Sequence, residues 1–175
     1  MKKIVITGGS GFIGSNLVEY FLKKKYFVVN IDKFSYSGNK YNSHNFNKKN
    51  YTLVKSDINN KKKIIKTLKK YKPSIIFNLA AETHVDRSID GPKPFIDSNI
   101  NGVFNLLESI RFYNKKAKKK IKLIHVSTDE VYGDILDKFK RADENYPYKP
   151  SSPYAASKAS ADHLIKSYVR TYNFP

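Results

Sequence analysis

Three glycines, Gly8, Gly11 and Gly14, stand between an apolar run and a helical pattern near the start of the chain. Residues 2–7 form a short β-branched run typical of a buried strand, and residues 12–24 carry apolar side chains at helical spacing. The dinucleotide-binding fingerprint requires this context, because the glycines make a tight turn and the helix N-terminus offers free N–H groups to a pyrophosphate. We therefore predict a dinucleotide site here rather than a plain tight turn.

Further strand and helix patterns alternate along the rest of the chain. The predicted strands cover residues 27–32, 51–55, 74–79 and 121–127, and the predicted helices cover 61–71, 95–113 and 153–172. Such alternation indicates an α/β fold of the Rossmann type, with a doubly wound parallel sheet and helices on both faces. We interpret residues 1–175 as one dinucleotide-binding domain, in which a long polar loop over residues 34–50 suggests function or mobility.

The composition narrows the possible functions. The chain has no cysteine, which excludes disulfides, thiolate metal sites and a cysteine nucleophile, and we expect no bound metal. No apolar run reaches the length of a membrane span, and the N-terminus does not resemble a signal peptide, so the cytoplasm is the default location. A formal charge of +18 raises the possibility of nucleic-acid binding. The lysine clusters fall on predicted helix faces, helix ends and loops without a recognition motif, so we favour a solvated surface.

Carboxylates follow the second and third predicted strands. Asp32 ends the second strand, at the position where an acid hydrogen-bonds the adenosine ribose. Its charge would repel a 2′-phosphate and favours NAD over NADP, although the neighbouring Lys33 and a simple turn role for Asp32 leave alternatives. Asp57, followed by Ile58, could bind the adenine edge or could be a turn residue.

Small and polar residues follow the fourth predicted strand, where residues 79–84 read LAAETH. Two alanines leave room for a flat cofactor against the backbone. His84 and Arg87 come next, and an arginine suits the diphosphate of a nucleotide sugar. Each could equally be a loop cap or part of a surface ion pair.

The fifth predicted strand leads into residues 127–133, STDEVYG. Polar groups at the end of a parallel strand lie at the carboxyl edge of the sheet, where ligands bind in open α/β sheets. Two carboxyl groups in one cleft favour separate pKa values, so Asp129 and Glu130 could act as an acid and a base in the elimination of water. The alternative is that Asp129 caps the turn while Glu130 faces solvent.

Tyr154 and Lys158 lie early in the last predicted helix, four residues apart. This spacing puts phenol and ammonium on one helix face, and a neighbouring cation lowers the pKa of a tyrosine toward that of a working base. A lone Tyr-x-x-x-Lys is usually coincidence, but here it accompanies the glycine turn and the hydroxyl of Thr128. We therefore predict hydride-transfer chemistry. A non-catalytic NAD-binding protein would not need all of these groups.

Together these motifs resemble the dTDP-glucose 4,6-dehydratases, a family of extended short-chain dehydrogenases/reductases in nucleotide-sugar metabolism. The resemblance rests on TGGSGFIG at residues 7–14, LAAETHVDRS at 79–88, STDEVYG at 127–133 and PSSPYAASKA at 150–159, and it covers essentially the whole chain. It implies dehydration of dTDP-glucose on tightly held NAD, and a place in dTDP-rhamnose and polysaccharide biosynthesis. GDP-mannose 4,6-dehydratases are similar but carry Ser in place of Asp129, and the epimerases lack the acidic pair.

The resemblance also implies a role for each catalytic residue. Tyr154, assisted by Lys158 and Thr128, would take the proton of the sugar 4-hydroxyl while hydride leaves C4 for NAD. Glu130 would then remove the C5 proton and Asp129 would protonate the departing 6-hydroxyl. Hydride finally returns to C6, so the whole cycle is redox-neutral.

The binding residues implied by the resemblance fall into two groups. The nucleotide sugar would contact Thr83, His84, Arg87 and Thr128. The residues implied for NAD, with the glycines of the turn, are Gly8, Gly11, Phe12, Ile13, Gly14, Asp32, Lys33, Phe34, Ser35, Asp57, Ile58, Leu79, Ala80, Ala81, Glu82, Thr83, Ser98, Tyr154 and Lys158.

Members of this family run well past the position of residue 175. The resemblance therefore implies that the last strand or strands and a C-terminal substrate domain, with most of the nucleotide pocket, lie outside this chain. We expect the fifth strand to form an uncovered edge, the chain alone to be weakly active or inactive, and the full-length protein to be a homodimer. A related 4,6-dehydratase or epimerase acting on a UDP-, CDP- or GDP-sugar is the alternative. No nucleic-acid or membrane partner is expected.

Overall fold

The computed structural model describes residues 1–43, Phe46, 49–136 and 141–175. Positions 44, 45, 47 and 48 of the predicted polar loop lie outside the described residues, as do positions 137–140.

Parallel strands form one sheet in the described part of the chain. They are β1 (Lys3–Thr7), β2 (Phe27–Asp32), β3 (Tyr51–Lys55), β4 (Ile75–Asn78) and β5 (Lys122–His125), in the order β3-β2-β1-β4-β5. The chain steps outward from β1 first to one side and then to the other, so the strand order reverses between β1 and β4. The predicted doubly wound Rossmann-type sheet is therefore confirmed.

Helices connect the strands. In chain order the α-helices are α1 (Phe12–Lys23), α2 (Lys61–Tyr71), α3 (Val85–Asp90), α4 (Lys93–Phe95), α5 (Gly102–Asn114) and α6 (Pro153–Tyr172). A π-helical segment covers Ile96–Asn101, and 3-10 turns cover Lys40–Ser43 and Asp129–Tyr132. Among the described residues, no helix combines the length and the apolar character that a membrane span requires.

The helix predicted over residues 95–113 is present as one continuous helical stretch, but its first part is not regular α-helix, because α4, the π-helical segment and α5 share this region. The π-helical sequence IDSNIN is rich in Asp, Ser and Asn, whose short polar side chains compete with the helix for backbone hydrogen bonds. Single π-helical turns are frequent at functional sites. Helix α3 was not predicted, since six residues are too few for a clear helical period.

Both faces of the sheet are buried. Successive side chains of a strand point to opposite faces, so Val5, Val29 and Ile76 pack against α2, α5 and α6 on one side. Ile4 and Val28 pack against α1 on the other side. Burial on both faces explains why β1 and β2 are almost continuously apolar.

Strand β5 lies at one edge of the sheet, as predicted. Its Ile124 side chain is 45% exposed, in contrast to the buried residues of β1. The edge is nevertheless not wholly uncovered, because the Leu123 N–H donates to the carbonyl oxygen of Pro175 at 3.1 Å. The last described residue therefore extends the hydrogen bonding of the sheet beyond β5.

Glu108 joins α5 to α6 through its carboxylate. It accepts hydrogen bonds from Arg111 at 2.7 and 2.9 Å and from the Tyr168 hydroxyl at 2.8 Å. The hydrogen bonds from Arg111 and then from Tyr168 lower the pKa of Glu108 to about 2, against the opposing effect of burial. A carboxyl group whose pKa is lower in the folded state than in the unfolded state stabilises the fold only while it is ionised.

Replacement of this carboxylate by an amide, Glu108→Gln, should destabilise the chain by about 1–2 kcal/mol at neutral pH. The contribution is fully present above the ordinary glutamate pKa and disappears as the pH falls toward about 2, so the stability difference should shrink on acidification. Thermal or urea unfolding of both proteins between neutral pH and acid measures it. Exposed Glu144→Gln is the control, and a difference that does not change with pH would contradict this assignment.

Candidate active site

A cleft of about 350 Å³ opens at the carboxyl ends of the strands, beside the point where the strand order reverses. It is lined by the glycine turn, by the ends of β2, β3, β4 and β5, and by the start of α6. The predicted residues among its lining are Gly8, Gly11, Phe12, Ile13, Gly14, Asp32, Lys33, Ser35, Asp57, Ile58, Leu79, Ala80, Ala81, Thr83, Ser98, Tyr154 and Lys158. The lining also includes Ile31, Ser37, Gly38, Ser56, Val126 and Ser127, which were not predicted.

The glycine turn is shaped for close approach of a ligand to the backbone. A Cβ atom on Gly14 would lie 2.1 Å from the carbonyl oxygen of Gly8, so no larger residue fits this turn. Gly11 caps α1 without a side chain that could occupy the first N–H groups. Phe12 and Ile13 are 83% and 64% exposed on the cleft side. Free N–H groups at a helix N-terminus next to uncovered apolar side chains fit the pyrophosphate and the flat rings of a dinucleotide.

Asp32 organises the turn from the end of β2. Its Oδ2 accepts a hydrogen bond from the Ser10 N–H at 2.9 Å, and its Oδ1 accepts one from the Phe34 N–H at 2.8 Å. The buried carboxylate therefore ties the glycine turn to the loop after β2. Phe34 has a positive φ of 57° and is not among the residues that line the cleft, so only its backbone serves the site.

Lys33 reaches across the cleft to side chains that follow β3 and β4 and to the π-helical segment. Its Nζ lies 2.9 Å from Ser98 Oγ, 3.0 Å from Glu82 Oε1 and 3.8 Å from Asp57 Oδ2. Glu82 is buried and lies behind the lining of the cleft, where it holds Lys33 rather than facing a ligand. Lys33 was the reason to consider NADP as well as NAD. Because its ammonium group is paired with carboxylates, it is not free to bind a 2′-phosphate.

Two residues that were not predicted hold the start of α6 in place. Asn99, in the π-helical segment, donates to Ser157 Oγ at 2.8 Å and exchanges two hydrogen bonds with the backbone of Glu82, each of 2.9 Å. Ser88, in α3, accepts a hydrogen bond from the Tyr154 N–H at 3.1 Å. The sequence offered one signal for Asn99, because asparagine is unfavourable in the interior of a helix and this one lies inside a predicted helix.

The pKa of Tyr154 depends on three of the residues predicted to act with it. Burial raises the pKa of its phenol, a hydrogen bond from Thr128 lowers it, and the charges of Glu130 and Asp129 raise it further. Thr128 therefore lies next to the phenol, while Asp129 and Glu130 act on it through their charge from the turn that follows β5.

The predicted lowering of the Tyr154 pKa by Lys158 is wrong for this structure. Lys158 donates to the carbonyl oxygen of Val126 at 2.6 Å, and burial lowers the pKa of its own ammonium to about 8. Helical spacing places both residues on one face, but it does not decide where a long flexible side chain ends.

The acidic pair sits on the 3-10 turn Asp129–Tyr132. Thr128 caps this turn by accepting a hydrogen bond from the Glu130 N–H at 3.3 Å. Gly133 ends it with a φ of 70°, and a Cβ there would lie 2.0 Å from the carbonyl oxygen of Lys149, so only glycine fits. Asp129 and Glu130 are exposed next to the cleft rather than within its lining.

The residues predicted to bind the sugar are only partly brought together. Thr83 lines the cleft, whereas exposed His84 precedes α3 and does not line it. The Arg87 guanidinium stacks over the Tyr36 ring, 4.1 Å from its centroid, and also lies outside the lining. In the described part of the chain, no group of three or more His, Asp or Glu residues could hold a metal ion.

The fold and the site define an enzyme-like dinucleotide-binding domain with a Tyr–Lys pair and an acidic turn. The family model described as GDP-mannose 4,6 dehydratase matches residues 5–175, and the chain belongs to this family. A probable dTDP-glucose 4,6-dehydratase of Sinorhizobium fredii is 42% identical over 99% of this chain, which covers 51% of that protein. The chain thus spans about half the length of the curated relatives it matches.

Solved structures show the same similarity. The crystal structure of dTDP-glucose 4,6-dehydratase from Bacillus anthracis in complex with NAD is 42% identical, with a TM-score of 0.88 over 100% of this chain and 52% of that one. UDP-glucose 4-epimerase from Thermus thermophilus, in complex with NAD, is 31% identical, with a TM-score of 0.87 over 98% of this chain and 52% of its own. The chain therefore resembles dTDP-glucose 4,6-dehydratases in sequence and shares its fold with epimerases as well.

Substitution of the third glycine of the turn, Gly14→Ala, should weaken NAD binding by at least about tenfold, because the new methyl group would force the turn away from its ligand. Titration calorimetry with NAD measures the affinity. Gly91→Ala is the matched control, since its Cβ would meet only the Arg87 carbonyl oxygen, at 3.9 Å. Unchanged affinity in Gly14→Ala would show that the dinucleotide does not bind at this turn.

Proposed function

We propose that this chain forms the NAD-binding and catalytic half of a dTDP-glucose 4,6-dehydratase. The observation that carries the proposal is the hydrogen bond of Thr128 with Tyr154 at the cleft, with Asp129 and Glu130 on the turn that Thr128 caps. When bound, NAD supplies a reversible hydride acceptor next to these groups. With that acceptor, a base, a hydroxyl and two carboxyl groups at one sheet edge would support both oxidation and elimination.

Oxidation at C4 is the work of Tyr154, Thr128 and Lys158. The phenolate takes the proton of the sugar 4-hydroxyl as hydride leaves C4, and Thr128 hydrogen-bonds the same oxygen. Burial works against ionisation of the phenol, and the Thr128 hydrogen bond favours it. Lys158 lies one helical turn away in the lining of the cleft, where we propose that it binds NAD.

Elimination of water falls to the acidic pair. The C4 ketone acidifies the C5 hydrogen, Glu130 removes that proton, and Asp129 gives a proton to the 6-hydroxyl, which leaves as water. Hydride and a proton then add across the C5–C6 double bond, with hydride at C6, so no electrons are gained or lost overall. The product is dTDP-4-dehydro-6-deoxy-glucose.

A 4-epimerase acting on a nucleotide sugar is the second candidate, because the similarity to the Thermus enzyme covers the same half of the fold. Epimerisation needs hydride transfer at C4 but no elimination. The acidic pair on the turn after Thr128 favours the dehydratase. The two reactions give different products, a 4-keto-6-deoxy sugar and a C4 epimer.

The remaining predictions concern the full-length protein. Because the chain covers 51% of its relative, we propose that most of the nucleotide pocket lies in a C-terminal substrate domain. Exposed apolar side chains on α5 and α6, among them Phe112 and Val169, support a homodimer packed through these helices. Cytoplasmic location and the absence of nucleic-acid and membrane partners stay predictions.

Loss of the base at C5 should block dehydration. The test uses a full-length form, in which this chain is extended to the length of its curated relatives. In that form, Glu130→Gln should lower product formation from dTDP-glucose by at least about 100-fold. Mass spectrometry of the sugar nucleotide, which detects the loss of water, is the measurement. Exposed Glu144→Gln should act like the wild type, and dehydration by Glu130→Gln at the wild-type rate would refute the assignment.

Cofactor choice should depend on the carboxylate at the end of β2. Because Asp32 is buried next to the turn and Lys33 is engaged by Glu82, the chain should bind NAD at least about tenfold more tightly than NADP. Asp32→Asn removes the charge and should narrow this ratio. Calorimetric titration with both cofactors measures it, with exposed Asp90→Asn as the control. Equal binding of the two cofactors by the wild type would contradict the assignment.

A further inference from the structure

Asp162 lies on α6, one turn beyond Lys158 and two turns beyond Tyr154. Its side chain is only 12% exposed. Oδ2 accepts hydrogen bonds from the Ser127 hydroxyl at 2.5 Å and from the Tyr148 hydroxyl at 3.1 Å. Asp162 is not among the residues that line the cofactor cleft, and the catalytic scheme above does not use it.

The two hydroxyl groups that Asp162 holds lie on opposite sides of the acid-bearing turn. Ser127 is the residue immediately before Thr128. Tyr148 follows the turn, and its ring packs edge-on against Tyr132, the last residue of the turn, with 5.5 Å between ring centroids. Next to it, the Lys149 N–H donates to the Val131 carbonyl oxygen at 3.0 Å.

Burial, together with the negative charge of Asp162, raises the pKa of Tyr148 to about 12. The phenol therefore stays protonated and remains a hydrogen-bond donor to the carboxylate throughout the range in which enzymes normally work. Ionisation of the phenol therefore does not break the hydrogen bond between the segment after the turn and α6 in this range.

A chain of buried polar side chains in the sheet ends near the other oxygen of Asp162. The Thr7 hydroxyl donates to Asn78 Oδ1 at 2.5 Å, and Asn78 Nδ2 lies 2.9 Å from His125 Nδ1. Burial and the charge of Lys158 lower the pKa of His125 to about 3, so the ring is neutral and carries one proton. Since Nδ1 accepts from the Asn78 amide, that proton is on Nε2.

His125 Nε2 lies 4.0 Å from Asp162 Oδ1 and has no hydrogen-bond partner among the described residues. Its N–H group is buried, and the carboxylate is the negative group that it faces. The row of side chains crosses β1, β4 and β5 and ends beside α6. Asp162 therefore joins the acid-bearing turn to the helix that carries Tyr154, with the buried ring of His125 beside its other oxygen.

We propose that Asp162 is a positioning residue that clamps residues 127–132 against α6 and so fixes Thr128, Asp129 and Glu130 relative to Tyr154. This inference rests on the proposed dehydratase function for its catalytic consequence. Small errors in the placement of reacting groups cost large factors in rate, so a clamp that never touches the substrate still controls turnover. It should act on kcat far more than on the binding of the sugar or of NAD.

The test compares Asp162→Ala, Ser127→Ala and the double variant in the full-length form with NAD bound. We expect Asp162→Ala to lower kcat for dTDP-glucose at least about tenfold, with KM and NAD affinity changed by less than about twofold. The double variant should be no slower than Asp162→Ala, because both changes remove the same contact. Ser160→Ala, on the same helix, is the matched control. Wild-type kcat in Asp162→Ala, or effects that multiply in the double variant, would overturn the proposal.

Backbone hydrogen exchange provides a readout that does not need the reaction. In Asp162→Ala the amides of Gly133 and Lys149 should exchange at least about tenfold faster, while the amide of Gly8, bonded to Ile31, should not change. If Asp162→Ala does not fold, Asp162→Asn takes its place, since it removes the negative charge and one of the two acceptor oxygens. Unchanged or uniformly faster exchange would overturn the clamp. If exchange becomes faster only at these amides, but the wild-type protein does not dehydrate dTDP-glucose, the clamp stands and the proposed function is refuted.

Discussion

Parallel pairing of the strands is the constraint on which the rest of the structure depends. It sends every strand's carboxyl end to one edge of the sheet, and the sequence places its reactive groups at those ends. The glycine turn follows β1, Asp32 ends β2, and Thr128 follows β5. Because both faces of β1 and β2 are buried, the position of this edge is held by the core, and the groups along it need only local hydrogen bonds to become a site.

Those local bonds connect the strand ends across the cleft. Asp32 joins the turn after β1 to the loop after β2, and Lys33 joins that loop to Glu82 after β4. Asn99 then joins the segment after β4 to α6. Each contact satisfies a buried or half-buried polar group and also sets the distance between two parts of the site. Stability and function therefore rest on the same side chains.

The fold and much of the site were predictable from the sequence for different reasons. Strand and helix periods identify the sheet, and motif spacing locates Gly14, Asp32, Tyr154 and Lys158 because each lies at a fixed distance from an element boundary. Asn99 and Asp162 were missed because their partners are distant in sequence, with a separation of 58 positions from Asn99 to Ser157 and of 35 from Ser127 to Asp162. No local pattern encodes such a pairing. The predicted effect of Lys158 on Tyr154 was wrong for a related reason. Helical spacing determines the face on which a side chain lies, but not the atom that it contacts.

Transfer of hydrogen within one sugar tests the dehydratase most directly. Full-length protein containing this chain would receive dTDP-glucose labelled with deuterium at C4, and the product would be examined by nuclear magnetic resonance. Oxidation at C4 followed by reduction at C6 on the same cofactor predicts that the deuterium appears at C6, while a hydrogen from solvent enters at C5. Recovery of the label at C4, as in an epimerase, or its loss to solvent would contradict the proposed function.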